Sequence, residues 1–260
     1  MDKLLYNYHT HTYRCGHASG TEEDYVKRAI QCGIKRMGFS DHFPLRFSDG
    51  TESSFRLPVN EVPLYSEEVF RLREKYKNDI EIFLGFETEY YFELKDEMLA
   101  SAKEYGAEYL ILGQHIYAPE NKGGCHSFAA QSEEGLTKYV DSIIEAIKTG
   151  KYTYVCHPDM INFVGDLDYY REQSARLIKA SNEYGVPLEI NLYGMRDGRH
   201  YPNEEFWRVA GRLGARATLG FDSHHEKHVA DQNEIIRGLR LADKFGIEVL
   251  DEVKLIDPRF

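Results

Sequence analysis

Short apolar runs with strand-forming residues alternate with longer amphipathic stretches along the chain. This rhythm predicts repeated strand–helix units that build a parallel sheet. The strand candidates are residues 4–9, 36–40, 80–86, 109–113, 152–156, 187–191 and 217–220, with a possible eighth at 248–250.

Glycines mark the predicted ends of the helices. A glycine just past a helix adopts the left-handed conformation at little cost, and six helical patterns end this way before a strand candidate. These glycines are Gly33, Gly106, Gly150, Gly185, Gly214 and Gly246. Thr21 opens the first helix with a variant of the capping box, and Asp168 and Asn203 open later ones. No linker or break in composition interrupts the pattern, so we expect one domain over residues 1–260.

Residues 43–63 interrupt the strand–helix rhythm. They are rich in Ser, Pro and charged residues and predict a long loop over one end of the fold. Loops of this length are often lids over a site, although some are simple insertions.

Composition narrows the functional class. The 32 basic and 43 acidic side chains give a formal net charge of −11, which serves solubility and disfavours binding to a nucleic-acid backbone. A small substrate is therefore the expected partner. Because no apolar run is long enough to span a membrane and no secretory signal is recognisable, we expect a cytoplasmic protein. The four cysteines are widely spaced and are expected to be free thiols.

Histidines and carboxylates stand where the predicted strands end. His9 and His11 are two residues apart, so they project to the same side of an extended chain. Asp222 and His224 have the same spacing after the seventh strand candidate. The second to fifth candidates end near His42, Glu87, His115 and His157. Since the carboxyl ends of barrel strands share one rim, these distant residues should converge there.

The joint pattern predicts a metal centre. A single histidine after a strand is more often a hydrogen-bonded loop residue than a ligand, but crowded donors without a metal would be poorly satisfied. Imidazoles and carboxylates with no nearby thiolate suit Zn, Mn, Fe or Co better than Ca or Mg. One ion needs about four to six donors, so the set predicts two or three ions with Glu87 as a bridge.

The donors lie in motifs that span nearly the whole chain in a fixed order. These motifs are Tyr8-His-Thr-His-Thr12, Cys15-Gly-His-Ala18, Phe39-Ser-Asp-His42, Gly85-Phe-Glu87, Gly113-Gln-His115, Cys156-His-Pro-Asp159, Glu189-Ile-Asn191 and Gly220-Phe-Asp-Ser-His224. The ordered set resembles the polymerase-and-histidinol-phosphatase (PHP) superfamily, in particular its monofunctional histidinol-phosphate phosphatase branch.

That resemblance implies an α/β fold, a distorted (β/α)7 TIM-like barrel, with three divalent ions (Zn, Mn or Fe). The implied ligands are His9, His11, Glu87 and Asp222 for the first ion, Glu87, His115 and His157 for the second, and His17, His42 and His224 for the third. The remaining histidines, His126, His200, His225 and His228, match no ligand position. Asp41 and Asp159 are expected to orient neighbouring imidazoles, with exposure to solvent as the alternative.

The implied activity is hydrolysis of L-histidinol phosphate to L-histidinol and phosphate in histidine biosynthesis, through attack by a hydroxide that bridges two ions. Asp222 or His224 would pass a proton to the leaving oxygen. Arg196 is our candidate for binding the phosphate, ahead of Arg199 and Arg14, because an arginine fork suits a phosphate dianion. Residues 158–163 lack the basic residue that this branch usually directs at its substrate.

Other functions are also compatible with these motifs. A PHP phosphatase could act on another small phosphomonoester, on phosphotyrosine, or on a nucleotide or nucleic-acid end. The chain has no basic tract interleaved with aromatic residues, which disfavours nucleic acid. A protein that stores or senses metal would also need the histidines, but it would not need an open rim or an arginine aimed at phosphate.

Overall fold

Parallel strand pairing organises the computed structural model, which describes residues 4–260. Its strands are β1 (Tyr6–Asn7), β2 (Arg36–Phe39), β3 (Glu81–Thr88), β4 (Tyr109–Leu112), β5 (Leu188–Asn191), β6 (Arg216–Gly220) and β7 (Glu248–Val249). They form one sheet in the order β1-β2-β3-β4 and a second in the order β5-β6-β7. The first three residues of the predicted domain lie outside the described residues.

The fifth strand candidate joins the two sheets without forming a regular strand. Val155 makes isolated parallel bridges to Leu112 at the end of β4 and to Leu188 at the start of β5. His157 then takes a positive φ of 28°, which turns the chain away from extended pairing. The sequence therefore predicted the position of this pairing correctly but not its irregularity.

The ring closes between the residues that follow β1 and those that follow β6. Thr10, just after β1, bridges in parallel to Ser223, just after β6. The backbone N–H of His11 donates to the carbonyl of Ser223 at 3.0 Å, and the N–H of Ser223 donates to that of His9 at 3.1 Å. The short β7 pairs only with the start of β6 within the described chain. This arrangement confirms the predicted distorted barrel.

Eight helices surround this ring in the described residues. They are α1 (Glu22–Cys32), α2 (Val62–Tyr76), α3 (Lys95–Glu104), α4 (Glu133–Lys148), α5 (Leu167–Tyr184), α6 (Leu192–Arg196), α7 (Glu204–Arg212) and α8 (Gln232–Phe245). The six predicted terminal glycines all have left-handed φ values between 66° and 82°. From residue 4 onward, the chain contains no helix with the length and apolarity needed to cross a membrane.

Two of the three predicted helix starts are confirmed by their caps. Thr21 and Asp24 form a complete capping box at α1, and the side chain of Asn203 caps α7. The third prediction is two residues late, since Asp166 and not Asp168 accepts the backbone N–H of Tyr169 at 2.8 Å. An acidic residue inside a first turn interacts well with the helix dipole, so the sequence alone does not separate it from the cap.

Tyr109 of β4 fills the interior of the barrel below the rim. Its hydroxyl lies 3.0 Å from the carbonyl oxygens of both Tyr8 and Phe39, to which it donates. A Cβ on Gly38 or Gly85 would overlap the Tyr109 ring, so these two positions in β2 and β3 must be glycine. The Tyr109 ring thus fills the barrel interior beneath the strand ends, and the polar side chains lie at the rim.

The four cysteines are free, as predicted. Cys15 and Cys156 are buried, whereas Cys125 is exposed. Burial, assisted by the nearby Asp41 carboxylate, raises the pKa of Cys15 to about 12. Because the thiolate is the reactive form, we expect a disulfide reagent to modify Cys125 in the native protein and to reach Cys15 and Cys156 only after unfolding. Complete reaction of all four thiols in the native protein would contradict this.

Candidate metal centre

The strand ends bring all nine predicted donors to one side of the barrel. Neighbouring imidazole rings lie close together, with centroid separations from 4.3 Å for His11 and His224 to 6.4 Å for His11 and His17. His17 belongs to this group although it lies in the loop after β1, and its ring is 4.9 Å from that of His224. It is the one exposed member of the nine. Residues more than 200 positions apart therefore share one site.

Glu87, at the end of β3, occupies the middle of the cluster and is 1% exposed. Its Oε1 atom lies 2.8 Å from Nε2 of His157 and 3.4 Å from Nε2 of His115. Its Oε2 atom lies 3.2 Å from Nδ1 of His42 and 3.3 Å from Nε2 of His11. The two carboxylate oxygens thus face two different groups of imidazoles, which is the geometry of a bridging ligand.

Asp222 closes the opposite side of the cluster. Its Oδ1 atom is 3.2 Å from Nδ1 of His224, 3.4 Å from Nε2 of His11 and 3.6 Å from Nε2 of His9. Together, Glu87 and Asp222 enclose the His9 and His11 imidazoles from two sides.

Backbone strain is concentrated at two of these donors. His157 and Asp222 are the two non-glycine residues of the described chain with positive φ, at 28° and 46°. Residues other than glycine adopt this region at a cost of about 1–3 kcal/mol, and such strain occurs most often at functional sites. Both turns come directly after a sheet segment and aim the side chain across the rim.

Gly113 leaves the space that Glu87 occupies. A Cβ at this position would overlap Oε1 of Glu87. The glycine that follows β4 is therefore required by the neighbouring carboxylate and not by its own backbone conformation.

Two buried glutamates that sequence reasoning left without a role hold imidazoles in the cluster. Oε1 of Glu189 lies 2.7 Å from Nδ1 of His9, and Oε2 of Glu189 accepts the backbone N–H of His157 at 3.0 Å. Oε1 of Glu89 lies 2.8 Å from Nδ1 of His115. A carboxylate partner on one ring nitrogen leaves the other nitrogen for a metal. The available signal was a glutamate inside or directly after a buried apolar strand.

Asp159 does not orient an imidazole as predicted, and Asp41 contacts one at ion-pair distance without a hydrogen bond. Asp41 accepts the backbone N–H and the hydroxyl of Thr12 at 2.8 and 2.5 Å, while Nδ1 of His11 is 3.7 Å away. Asp159 accepts the indole N–H of Trp207 at 3.0 Å and a backbone N–H of Asn203. The chain turns after His157 and brings Asp159 close to α7. Asp159 therefore connects the loop after His157 to α7 and does not contact an imidazole.

The expectation that no thiol lies near the donors is also wrong. Cys15 has its sulfur within 4.8 Å of ring nitrogens of His17 and His224, and Cys156 is similarly close to His9. Both precede a predicted ligand by one or two residues, which brings them to the rim. Burial raises the pKa of both thiols, so in the metal-free protein they are protonated.

The charges of the cluster also fit divalent ions. Burial raises the pKa of Glu87, but the imidazoles around it, His115 first, outweigh burial and hold that pKa well below its ordinary value. Burial lowers the pKa of His11, but Asp222 and Glu87 raise it to about 9. Several buried atoms still make no hydrogen bond among the described residues: His9 Nε2, His11 Nδ1 and Nε2, His42 Nδ1, Glu87 Oε2, His157 Nδ1 and Asp222 Oδ1. Buried polar atoms without a partner are rare, and a bound divalent ion would satisfy these.

The cluster opens into a cavity of about 380 Å³. Candidate ligands form one part of its lining: His17, His42, His115, Asp222 and His224. Apolar and aromatic groups form another: Phe55, Ile116, Phe128, Met160 and Tyr193. The remaining lining residues are Ser54, His126, Arg199 and Tyr201, so His126, which matches no ligand position, still borders the site.

Arg199 is the arginine that lines this cavity in the described chain. Its guanidinium donates to the hydroxyl of Tyr193 at 2.8 Å and to that of Tyr201 at 3.3 Å. Arg196, the predicted phosphate ligand, points elsewhere and donates to both carboxylate oxygens of Glu234 at 3.2 Å.

Arg14, the other alternative from the sequence, is also held away from the cavity lining. It donates to Glu22 at 2.5 Å and to Glu61 at 3.2 Å. The geometry therefore favours Arg199 over both Arg196 and Arg14 as the cation of the site.

Comparison with known proteins places this site in context. Residues 7–192 match the model of the PHP domain. The chain is 25% identical over 243 residues to a probable histidinol-phosphatase of Deinococcus radiodurans, covering 90% of this chain and 89% of that protein. It is 25% identical over 247 residues to the histidinol-phosphatase of Bacillus subtilis, covering 83% and 92%.

A solved structure shows the same fold. It is the histidinol phosphate phosphatase of Lactococcus lactis in complex with zinc, L-histidinol and phosphate. The TM-score is 0.74 at 21% sequence identity, and the match covers 98% of each chain.

Proposed function

Because this chain belongs to the PHP domain family, we propose that the rim cavity is the active site of a histidinol-phosphatase, a metal-dependent phosphoric monoester hydrolase. The observation that carries the proposal is the convergence of nine donors at one rim, where five of them line a cavity that also holds an arginine and an aromatic wall. The named relatives support the substrate, since they match most of both chains.

Three groups of residues would hold three ions. The first ion would be bound by His9, His11, Asp222 and Glu87. The second would be bound by His115, His157 and the same Glu87. The third would be bound by His17, His42 and His224. Glu87 suits the shared position, because its two oxygens face different imidazoles. Bound divalent ions would supply a nucleophile from water near neutral pH and neutralise the charge on the phosphate oxygens.

Side chains around the proposed ions would orient the metal ligands, transfer a proton and contact the substrate. Glu189 and Glu89 fix the rings of His9 and His115 through their Nδ1 atoms. Asp222 and His224 both line the cavity, and they remain our candidates for moving a proton to the leaving oxygen. The aromatic side chains of Phe55 and Phe128 offer flat apolar surfaces against which the imidazole of histidinol can pack.

Arg199 is the proposed phosphate ligand. Replacing it by alanine should lower kcat/KM for L-histidinol phosphate by about 30–150-fold, which corresponds to the ~2–3 kcal/mol of a lost charged hydrogen bond. Arg196→Ala is the matched control, since Arg196 pairs with Glu234 outside the cavity lining, and it should change kcat/KM by less than about threefold. A large loss with Arg196→Ala and none with Arg199→Ala would restore the assignment that the sequence favoured.

A substrate panel tests the proposed activity. Metal-replete protein should hydrolyse L-histidinol phosphate with a kcat/KM at least ~100-fold above that for a nucleoside monophosphate, phosphotyrosine or a bis-nitrophenyl diester, since the relatives that match most of this chain are named as histidinol-phosphatases. Preference for another member of the panel would reassign the substrate within the family. No turnover of any of the four with metal fully bound would favour a metal-binding protein without catalysis.

A further inference from the structure

A buried arginine lies in the irregular segment that precedes α2. Arg56 is 4% exposed, and its guanidinium donates to Glu89, to Oε1 of Glu120 at 2.6 Å and to the hydroxyl of Tyr91 at 3.3 Å. It also reaches the backbone carbonyl of Phe43 at 3.3 Å. Burying a guanidinium is costly unless nearly all of its N–H groups are paired. A loop that only covers the surface does not require such an arrangement.

Glu89 connects this arginine to the candidate metal centre. One oxygen of Glu89 accepts from Arg56, and the other lies 2.8 Å from Nδ1 of His115. Because Glu89 forms an ion pair with the buried guanidinium of Arg56, it is a carboxylate, which can only accept hydrogen bonds. Nδ1 of His115 therefore carries the hydrogen, and Nε2 is directed towards Glu87 at 3.4 Å.

We propose that Arg56 is a positioning residue for the metal centre, which acts through Glu89 to fix the orientation and the tautomer of His115. The proposal rests on the metal centre described above. In this arrangement the positive charge of Arg56 holds the Glu89 carboxylate in contact with Nδ1 of His115. Without it, Glu89 would be a buried carboxylate next to an imidazole, free to turn away from the ring.

The same contacts determine the role of the loop. The guanidinium of Arg56 stacks on the ring of Phe55 at 4.7 Å, and this ring lies 5.1 Å from that of His42 in the cavity lining. Phe55 is therefore held in the wall of the site between Arg56 and His42. The sequence predicted the loop itself correctly, although α2 begins at Val62, inside the predicted range.

Metal affinity of the metal-free protein tests this proposal independently of turnover. We would titrate Zn²⁺ against a competing chromophoric chelator and record the visible absorption of the Co²⁺-substituted protein. Arg56→Met and Glu89→Gln should each weaken one ion site by about 10–100-fold and change the Co²⁺ spectrum, as loss of a partner of a metal-bound histidine does. The double variant should be no weaker than the more affected single variant, because both residues act along one path.

Arg46→Met is the matched control, since Arg46 lies in the same loop and makes an exposed ion pair with Glu104 at 3.4 Å. It should leave Zn²⁺ affinity and the Co²⁺ spectrum unchanged. Arg56→Lys keeps the charge beside Glu89 but not the fork, and it should recover part of the affinity.

Folded Arg56→Met protein with wild-type affinity at every site would overturn the proposal. If that variant does not fold, Glu89→Gln decides, because the substitution preserves the side-chain size, and unchanged affinity and spectrum there overturn it equally. Wild-type protein that binds no metal would overturn the metal centre and this proposal together, whereas unaffected variants of a metal-binding wild type overturn the proposal alone.

Discussion

Replacing Glu87 by glutamine is expected to lower kcat/KM for L-histidinol phosphate by at least about 10³-fold, or roughly 4 kcal/mol of transition-state stabilisation. The two oxygens of Glu87 face imidazoles on both sides, at 2.8 Å from His157 and 3.2 Å from His42. An amide is nearly the same size but carries no charge and presents only one oxygen. Two proposed ion sites would therefore be weakened by one substitution. Steady-state kinetics with elemental analysis of the purified variant measure both effects.

Glu81→Gln provides the control for this experiment. Glu81 lies at the exposed start of the same strand, where its side chain pairs with Arg36 at 3.4 Å. Its replacement should leave activity and metal content at the wild-type values. Wild-type activity in Glu87→Gln protein that has also kept its metal would contradict the bridging role.

Removal of divalent ions with a chelator should abolish activity, and addition of Zn²⁺ or Mn²⁺ should restore it. We also expect rebinding to release protons. The carboxylates around His11 raise its pKa to about 9, and those around His9 raise its pKa well above the ordinary value, so both rings are protonated in the metal-free protein at neutral pH. A ring must lose its proton before that nitrogen can bind a metal, so apparent affinity should fall as the pH falls.

Titration calorimetry in two buffers of different ionisation enthalpy measures this release directly. A heat of binding that depends on the buffer would show that protons leave the protein when the metal binds. Full activity after exhaustive chelation, or metal binding with the same affinity at pH 5 and pH 8, would contradict the prediction.

Much of the barrel follows from local signals. The terminal glycines and the caps at Thr21 and Asn203 are short-range features, and they behaved as predicted. The strand-end rule predicted most of the donors, because parallel strands direct their ends to one rim whatever the intervening sequence. His17 lies in a loop, and only the family motif pointed to it.

The sequence did not predict which side chains enter the cavity, because this depends on the direction that each side chain takes after its strand ends. Arg196 and Arg199 both follow β5, but the short helix α6 turns Arg196 towards Glu234 of α8, while Arg199 reaches the cavity. Periodicity carries no information about that choice, because the partner is contributed by a distant helix. The buried contacts of Glu89 and Glu189 are long-range in the same sense.

Anomalous diffraction at the zinc absorption edge, from crystals of zinc-loaded protein, tests the central claim most directly. We predict three peaks at the rim, each about 2.0–2.3 Å from donor atoms among the nine residues, with Glu87 between two of them. Absence of any peak at the rim, or zinc bound only at other places on the protein, would contradict the claim.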